Sequence, residues 1–300
     1  MPKMNLNIIT VSTFYGCDKK GVELGPKALI NNNLLSIIKN CGHTINEIID
    51  IPVDIDNKNK FDNNKQIKYF DKVKTIVKNL SISIEESYKN NTFPLVLGGD
   101  HAISIGSLAG FSKSFKNTGV IWIDAHGDLN IPSSSPSYNA HGMPLACSLG
   151  YGHEEFISIF KKNIDPKNVF LFGIRSLDNW EKEFIIKNEM HIYDRNSFDQ
   201  IPQDLMIDTL KKYTNKNKIE NFHLSFDIDV FDPLIAPGTG TPVKKGLLMD
   251  EVKNLMSKLL SSINIVSIDF VEFNPLLDKD NKTLTACLEI LEFIFRRIKK

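Results

Sequence analysis

The sequence predicts an α/β fold: a mainly parallel sheet with helices packed on both faces. Three observations predict it. Strand-like and helix-like stretches alternate along nearly all of the 300 residues. The strand-like runs are short and apolar without polar alternation, as suits strands buried on both sides. Blocks rich in aspartate and histidine stand behind three of those runs. In such sheets functional groups gather there, beyond the carboxyl ends of strands.

Taken in order, residues 6–11 (LNIITV) are a β-prone run that opens the sheet. Residues 26–39 and 65–90 place apolar side chains three or four apart, the period of a helix that buries one face. Between them the lysine- and asparagine-rich stretch 54–66 reads as a solvated loop. Residues 94–97 form the next strand-like run and 104–116 the next helical stretch. Runs at 120–123, 169–172, 191–193, 222–226 and 265–271 complete the strands, and stretches at 180–189, 202–213, 247–261 and 283–299 the helices. This alternation gives a three-layer αβα arrangement. The chain has no internal repeat, and the Pro/Ser-rich run 132–136 is too short for a linker, so residues 1–300 are expected to form one domain.

The polar blocks carry the chemistry. Gly98-Gly99-Asp100-His101 follows the run 94–97, and Asp124-Ala125-His126-Gly127-Asp128 follows 120–123. Ser225-Phe226-Asp227-Ile228-Asp229 closes 222–226, with Asp232-Pro233 just behind. On an extended strand end, Asp-x-His-x-Asp points its three side chains to one side, and Asp227-x-Asp229 repeats the arrangement. Carboxylates crowded at the end of a buried sheet repel one another and lose hydration, so they take up protons or bind cations. Two divalent ions bring four positive charges, which four carboxylates offset. A dinuclear site is the consequence. Oxygen-rich ligation with a minority of imidazoles suits manganese, or another hard-to-borderline ion, better than zinc in a thiolate cage. Two ions about 3.5–4 Å apart can hold a shared water and lower its pKa toward neutrality, producing hydroxide. A lone Asp-x-Asp is ordinarily a cap, and a lone Gly-Gly-Asp-His a polar turn. Their joint occurrence behind separate apolar runs carries the reading.

Composition bounds the partners. Lys plus Arg and Asp plus Glu are 36 each, so the net charge is zero and nothing points to nucleic acid or a membrane surface. No apolar run approaches the roughly 20 residues of a membrane span, and the first 13 residues lack a secretory pattern. Cys17, Cys41, Cys147 and Cys287 lie far apart without paired spacing, as fits free thiols in a reducing cytoplasm. Trp122 and Trp180 lie near the polar blocks but are explained as well by core packing.

Taken together, these three blocks resemble the signatures of the ureohydrolase family and, within it, the arginases. The resemblance covers nearly the whole chain from Gly21-Val22-Glu23-Leu24-Gly25-Pro26 and is weakest over residues 40–90. It implies an arginase-like fold of eight strands and two manganese ions. One ion would be held by His101, Asp124, Asp128 and Asp227, the second by His126, Asp124, Asp227 and Asp229, with Asp124 and Asp227 bridging. Asp232 and Asp100 would be structural. The implied reaction is hydrolysis of a linear amidine: a metal-bridging hydroxide attacks the guanidinium carbon of L-arginine to give L-ornithine and urea. Asp128 would pass a proton to the leaving amine and His141 would exchange protons with solvent. A homo-oligomer, trimer or hexamer, is implied as well.

Substrate choice rests on the segment from Asp128 to Gly142, which is similar to the arginase form. There Asn130, Ser137 and Asn139 correspond to groups that bind an α-carboxylate, and Asp178 to one that faces an α-ammonium. Thr241 lines the pocket, and Glu272 corresponds to the partner of the guanidinium. A carboxylate can take that planar cation in two parallel charge-assisted bonds. Read singly, each has a plainer explanation. The loop residues can be solvated, Asp178 can cap a helix before Trp180, His141 can be a satisfied loop histidine, and Glu272 can be a structural ion pair. Three features depart from the arginase pattern. Tyr138 stands where glycine is common, Ser176 where some members are acidic, and residues 230–240 follow the agmatinase style. The alternatives are therefore an agmatinase or other guanidino-substrate ureohydrolase, and, in another class, a non-catalytic metal- or amino-acid-binding protein.

Overall fold

The computed structural model describes residues 3–54, 60–61 and 66–298. Among them the apolar runs become β1 (Asn5–Val11), β2 (Thr44–Asp50), β3 (Phe93–Gly98), β4 (Thr118–Ile123), β5 (Val169–Phe172), β6 (His191–Tyr193), β7 (Asn221–Asp227) and β8 (Ile265–Val271). They form one sheet in the order β2-β1-β3-β8-β7-β4-β5-β6. Every pairing is parallel. The mainly parallel sheet expected from the sequence is thus entirely so.

The helices are α1 (Gly25–Asn31), α2 (Leu34–Asn40), α3 (Phe70–Lys89), α4 (Ser104–Ser114), α5 (Pro144–Ser148), α6 (Glu154–Ile157), α7 (Asn179–Lys187), α8 (Arg195–Gln200), α9 (Gln203–Asn217), α10 (Met249–Ser262) and α11 (Lys282–Phe295). Alternate strand residues face opposite layers. Leu6 and Ile8 of β1, Ile121 and Ile123 of β4, and Phe222, Leu224 and Phe226 of β7 pack with Leu29, Ile38, Leu210, Leu255 and Leu291 of α1, α2, α9, α10 and α11. Ile9, Val11, Val120 and Trp122 pack on the other face with Val77, Leu108, Leu145 and Phe184 of α3, α4, α5 and α7. Each fully buried side chain of this kind contributes about 1.5–3 kcal/mol, so both faces of the sheet are stabilised by a helical layer.

The structure differs from the sequence reading at several elements. β2 was not anticipated. It is an edge strand, paired only to β1, with a largely exposed TINEIID run that lacks the continuous apolar signal of the inner strands. The stretch 26–39 is two helices because Asn33 takes a left-handed conformation (φ 72°) between them. The helix expected from residue 65 starts at Phe70, after a left-handed Tyr69 (φ 52°). α5, α6 and α8 have six residues or fewer and show no period. Of the stretch expected to be a solvated loop, residues 55–59 and 62–65 lie outside the described residues. Among the described residues no helix is long and apolar enough to cross a membrane, and all four cysteines are free.

The topology brings the polar blocks together. The chain leaves β3 through α4 and enters β4 three positions away, and the two places between are later filled by β7 and β8. The carboxyl ends of β3, β8, β7 and β4 are therefore neighbours at a switch in strand order, where crevices open in such sheets. Gly99 makes this junction tight. A Cβ there would come 1.9 Å from the Thr13 carbonyl oxygen. The Gly99 N–H donates to Val11 O, and Gly99 O accepts from the Glu272 N–H at 2.8 Å.

Candidate metal centre

His101 opens a single 3-10 turn (His101–Ile103) directly behind β3. Asp100 caps that turn: its carboxylate accepts from Ala102 N at 3.0 Å and Gly16 N at 2.9 Å. This is the structural role expected of it. Asp124, His126 and Asp128 follow β4, and Asp227 ends β7 and caps the turn Ile228–Val230 that carries Asp229. Asp232 accepts from Leu234 N and Gly246 N and so shapes a turn.

The six expected ligands converge. His101 Nδ1 stands 3.1 Å from Asp124 Oδ2, 3.0 Å from Asp128 Oδ2 and 3.2 Å from Asp227 Oδ2. His126 Nδ1 stands 3.0 Å from Asp229 Oδ2 and 3.5 Å from Asp124 Oδ1. Asp124 therefore turns one oxygen to each imidazole. Two compact groups can each hold an ion: His101 with Asp124 and Asp128, and Asp124 with His126 and Asp229. Asp227 belongs to neither tight group. Its Oδ1 accepts from Asp229 N at 2.8 Å while Oδ2 faces His101.

The orientation of these donors suits cations. His101 Nδ1 is fully buried beside three carboxylates, yet it has no aligned hydrogen bond. Its Nε2 is engaged by Ser225 Oγ at 2.7 Å. Trp122 stacks on the His101 ring at 4.3 Å and donates from Nε1 to Asp124 Oδ2 at 3.1 Å. Four carboxylates and two imidazoles, with no thiolate among them, fit a pair of manganese-like divalent ions.

Electrostatics show how charged the nest is. Burial opposes charge on both imidazoles, but the adjacent carboxylates outweigh it, so His126 is pushed up to about 12 and His101 well above its ordinary range. Burial lifts Asp128 to about 6, helped by the charge on Asp124, and it raises Asp227 and Asp229 too. Asp124 goes the other way: burial would raise it, but the two imidazoles hold it below the carboxylate range.

Protons and cations thus compete for the same atoms. For Asp128 the folded value lies above the 3.8 of the free side chain, so the folded state holds the extra proton. The metal-free protein should therefore lose stability as pH rises from about 4 to 6. His126, raised from 6.5, adds a further loss as pH rises above that value. Manganese should reverse the trend, and the rise in Tm on adding it should grow between pH 5 and pH 8. Differential scanning fluorimetry checks this. An increment that shrinks with pH would contradict it.

A cavity of about 170 Å³ lies over the nest, lined in part by His101, His126, Asp128, Asn130, Ser137, His141, Asp178 and Thr241. Glu272 is buried and does not itself line this cavity, but it contacts His101 and His141, which do. Its Oε1 accepts from His101 N at 2.9 Å and lies 3.1 Å from His141 Nδ1, while Oε2 has no partner. Thr241 Oγ1 donates to Asp229 Oδ2 at 3.3 Å. Asn130 Nδ2 donates to Asp178 Oδ2 at 2.8 Å. Asp178 also occupies the N-cap position of α7, so the capping and site readings coexist. Asn139 is placed differently: its amide donates to Cys17 O at 2.9 Å and it does not line this cavity.

Two supporting residues were not read from the sequence. Glu181 is buried at the cavity wall, accepting from Asp178 N and Leu129 N. Burial raises it to about 7. Its signal was the Asp178-x-x-Glu181 spacing of a capping box. Arg175 donates to the carbonyls of Gly173, Asp229, Val230, Phe231 and Val243. It clamps the turn that presents Asp229. A solitary arginine behind the run 169–172, in a chain with four arginines, was the available hint.

Tyr138 answers the question its identity raised. It holds φ 59°, the left-handed region that glycine favours, at a cost of about 1–2 kcal/mol. Its ring meets Phe61 edge-on at 6.0 Å. Tyr138→Gly should stay within about 1 kcal/mol of the parent, whereas the β-branched Tyr138→Val should lose about 1–2 kcal/mol more. Urea denaturation distinguishes the two. Equal stability of the variants would refute the strain.

Comparison with known proteins agrees with this geometry. A family model described as the arginase family matches residues 6–295. The arginase of Bacillus subtilis (strain 168) is 38% identical over 289 residues, covering 96% of each chain. The arginase structure from Bacillus caldovelox superposes with a TM-score of 0.91 at 36% identity, covering 98% of each chain. That of Entamoeba histolytica arginase in complex with L-ornithine gives 0.90 at 31% identity, covering 98% of this chain and 99% of the other. In fold and in sequence over nearly its whole length, the chain belongs to the arginase family.

Proposed function

We propose that this protein hydrolyses L-arginine to L-ornithine and urea at two manganese ions held by His101, Asp124, His126, Asp128, Asp227 and Asp229. The observation that carries the reading is Asp124, which offers one oxygen to each imidazole and so ties two ion-binding groups into one centre. When bound, a pair of divalent ions supplies Lewis acidity and lowers the pKa of a shared water. The remaining work falls to this chain's side chains.

The unpartnered, buried Glu272 Oε2 is an acceptor without a donor, and a guanidinium is the donor it suits. Charge-assisted pairing there fixes the reacting carbon over the nest. Asn130, Ser137 and Asp178 line the cavity above and are suited to hold the amino-acid end of the substrate. His141 is held through Nδ1 by Glu272 Oε1. Burial alone would lower its pKa, but Glu272 outweighs this and raises it, so it is suited to exchange protons with solvent while Asp128 passes one to the departing amine. Cleavage of the C–N bond leaves urea and the primary amine of ornithine. The four free thiols support a reducing, cytoplasmic setting. The family resemblance supports a homo-oligomer.

The test is urea release with manganese from arginine, agmatine and guanidinobutyrate. Arginine should be hydrolysed fastest, because polar groups built for a carboxylate are left unpaired by agmatine, a loss of up to about 10⁴-fold. Faster turnover of agmatine would overturn the assignment.

A further inference from the structure

A polar seam runs through the core on the face of β7 and β8 covered by α4. Strand alternation places His223 and Ser225 of β7 on it, cross-strand partners of Ser267 and Asp269 of β8. All four are fully buried, as are Ser104 and Ser107 of α4 above them. Asp269 is the anion of this seam. Ser104 Oγ donates to its Oδ2 at 2.7 Å, Ser107 Oγ donates to the same oxygen, and His223 Nε2 lies 3.2 Å away. Among the described residues that histidine is its one ion-pair contact. Oδ1 has no hydrogen bond at all.

A buried carboxylate without lysine or arginine is costly to keep. Burial pulls its pKa upward, yet His223 and the two serines outweigh this and hold Asp269 below the usual range. A carboxylate only accepts, so each hydroxyl that reaches it must point its hydrogen inward. Ser104 Oγ, its hydrogen committed to Asp269, presents a lone pair to Ser225 Oγ at 3.5 Å. Ser225 in turn presents a lone pair to His101 Nε2 at 2.7 Å. The chain of donors runs one way, from the imidazole to the anion.

We propose that Asp269 is a positioning residue for the metal centre: through Ser104 and Ser225 it holds the His101 hydrogen on Nε2 and leaves Nδ1 bare toward the aspartate nest. This inference rests on the metal reading given above. A ligating imidazole needs that tautomer, and the groups that fix it typically alter metal affinity 10–100-fold. Ser107 supplies the internal control. It bonds the same Asp269 oxygen from the same helix but lies off the path to His101.

The experiment is a manganese titration by isothermal calorimetry, with thermal unfolding measured alongside, on the parent protein and on Asp269→Asn, Ser104→Ala and Ser107→Ala. An asparagine can donate to Ser104 and reverse the chain. Asp269→Asn and Ser104→Ala should each weaken manganese binding about 10–100-fold at one of two sites. Ser107→Ala should stay within about threefold of the parent in affinity while losing a similar amount of stability. If Asp269→Asn does not fold, the contrast between the two serine variants decides alone. Affinity equal in Ser104→Ala and Ser107→Ala, whatever their Tm, reduces Asp269 to a structural anchor and overturns the proposal. A parent protein that binds no manganese defeats the metal reading itself, a different result.

Discussion

Asp124→Asn should lose at least about 10³-fold in kcat/KM for urea release, some 4 kcal/mol of transition-state stabilisation, together with half or more of its bound manganese. The residue sits between His101 and His126 with an oxygen toward each, and among the described residues no other side chain belongs to both groups. An amide keeps the shape but carries no charge and offers one oxygen where two are needed. It also leaves a positive excess where two ions meet, so the second ion should bind weakly. Metal analysis after dialysis, paired with initial rates at saturating manganese, reads both effects. A variant that keeps two ions per chain and works within tenfold of the parent would sink the bridging assignment.

That the nest could be foreseen has a physical reason. The parallel sheet puts the ends of β3, β4 and β7 at one edge, so the blocks behind those runs had to meet there. A linear pattern therefore specified a three-dimensional cluster once β3, β4 and β7 were read as strands. Strand alternation did not aim the side chains, because residues 124–128 lie beyond β4 with Asp128 left-handed (φ 49°), and Asp229 lies in a 3-10 turn. What escaped has equally physical reasons. β2 is an exposed edge and carries no continuous apolar run. The helix break at Asn33 depends on one left-handed residue. The seam of His223, Ser225, Ser267 and Asp269 lay inside runs that looked apolar, because Phe222, Leu224, Phe226, Ile268 and Phe270 occupy the alternate positions. Only a period-two reading of 222–226 against 265–271 separates the polar face from the apolar one. Asn139 has a backbone partner that spacing does not reveal. Its amide is taken by Cys17 O, a contact across 122 residues that no local pattern records.

Glu272→Gln is the complementary case, with the metal left in place. The parent carboxylate is held in a left-handed backbone conformation, φ 67°, an expense of about 1–3 kcal/mol that persists where surrounding structure over-determines it. Gly99 O and the His101 N–H fix it from two sides. Burial would raise its pKa, yet His141 and the His101 N–H together hold it below the usual glutamate range. It therefore stays ionised. Glutamine preserves the volume and can still accept from His101 N through its carbonyl oxygen. Its NH₂ then occupies the position of the unpartnered Oε2 and meets the guanidinium donor to donor. The loss of a charged pair with a repulsive contact added should cost about 3–4 kcal/mol, or ~10²–10³-fold in kcat/KM for arginine. Manganese content should be unchanged, because Glu272 is not among the ligating atoms. The pH profile should also shift. Without the Glu272 charge, burial is less opposed and His141 should titrate lower than in the parent. Activity lost together with manganese would instead make Glu272 a support of the metal nest, and the guanidinium would need another partner.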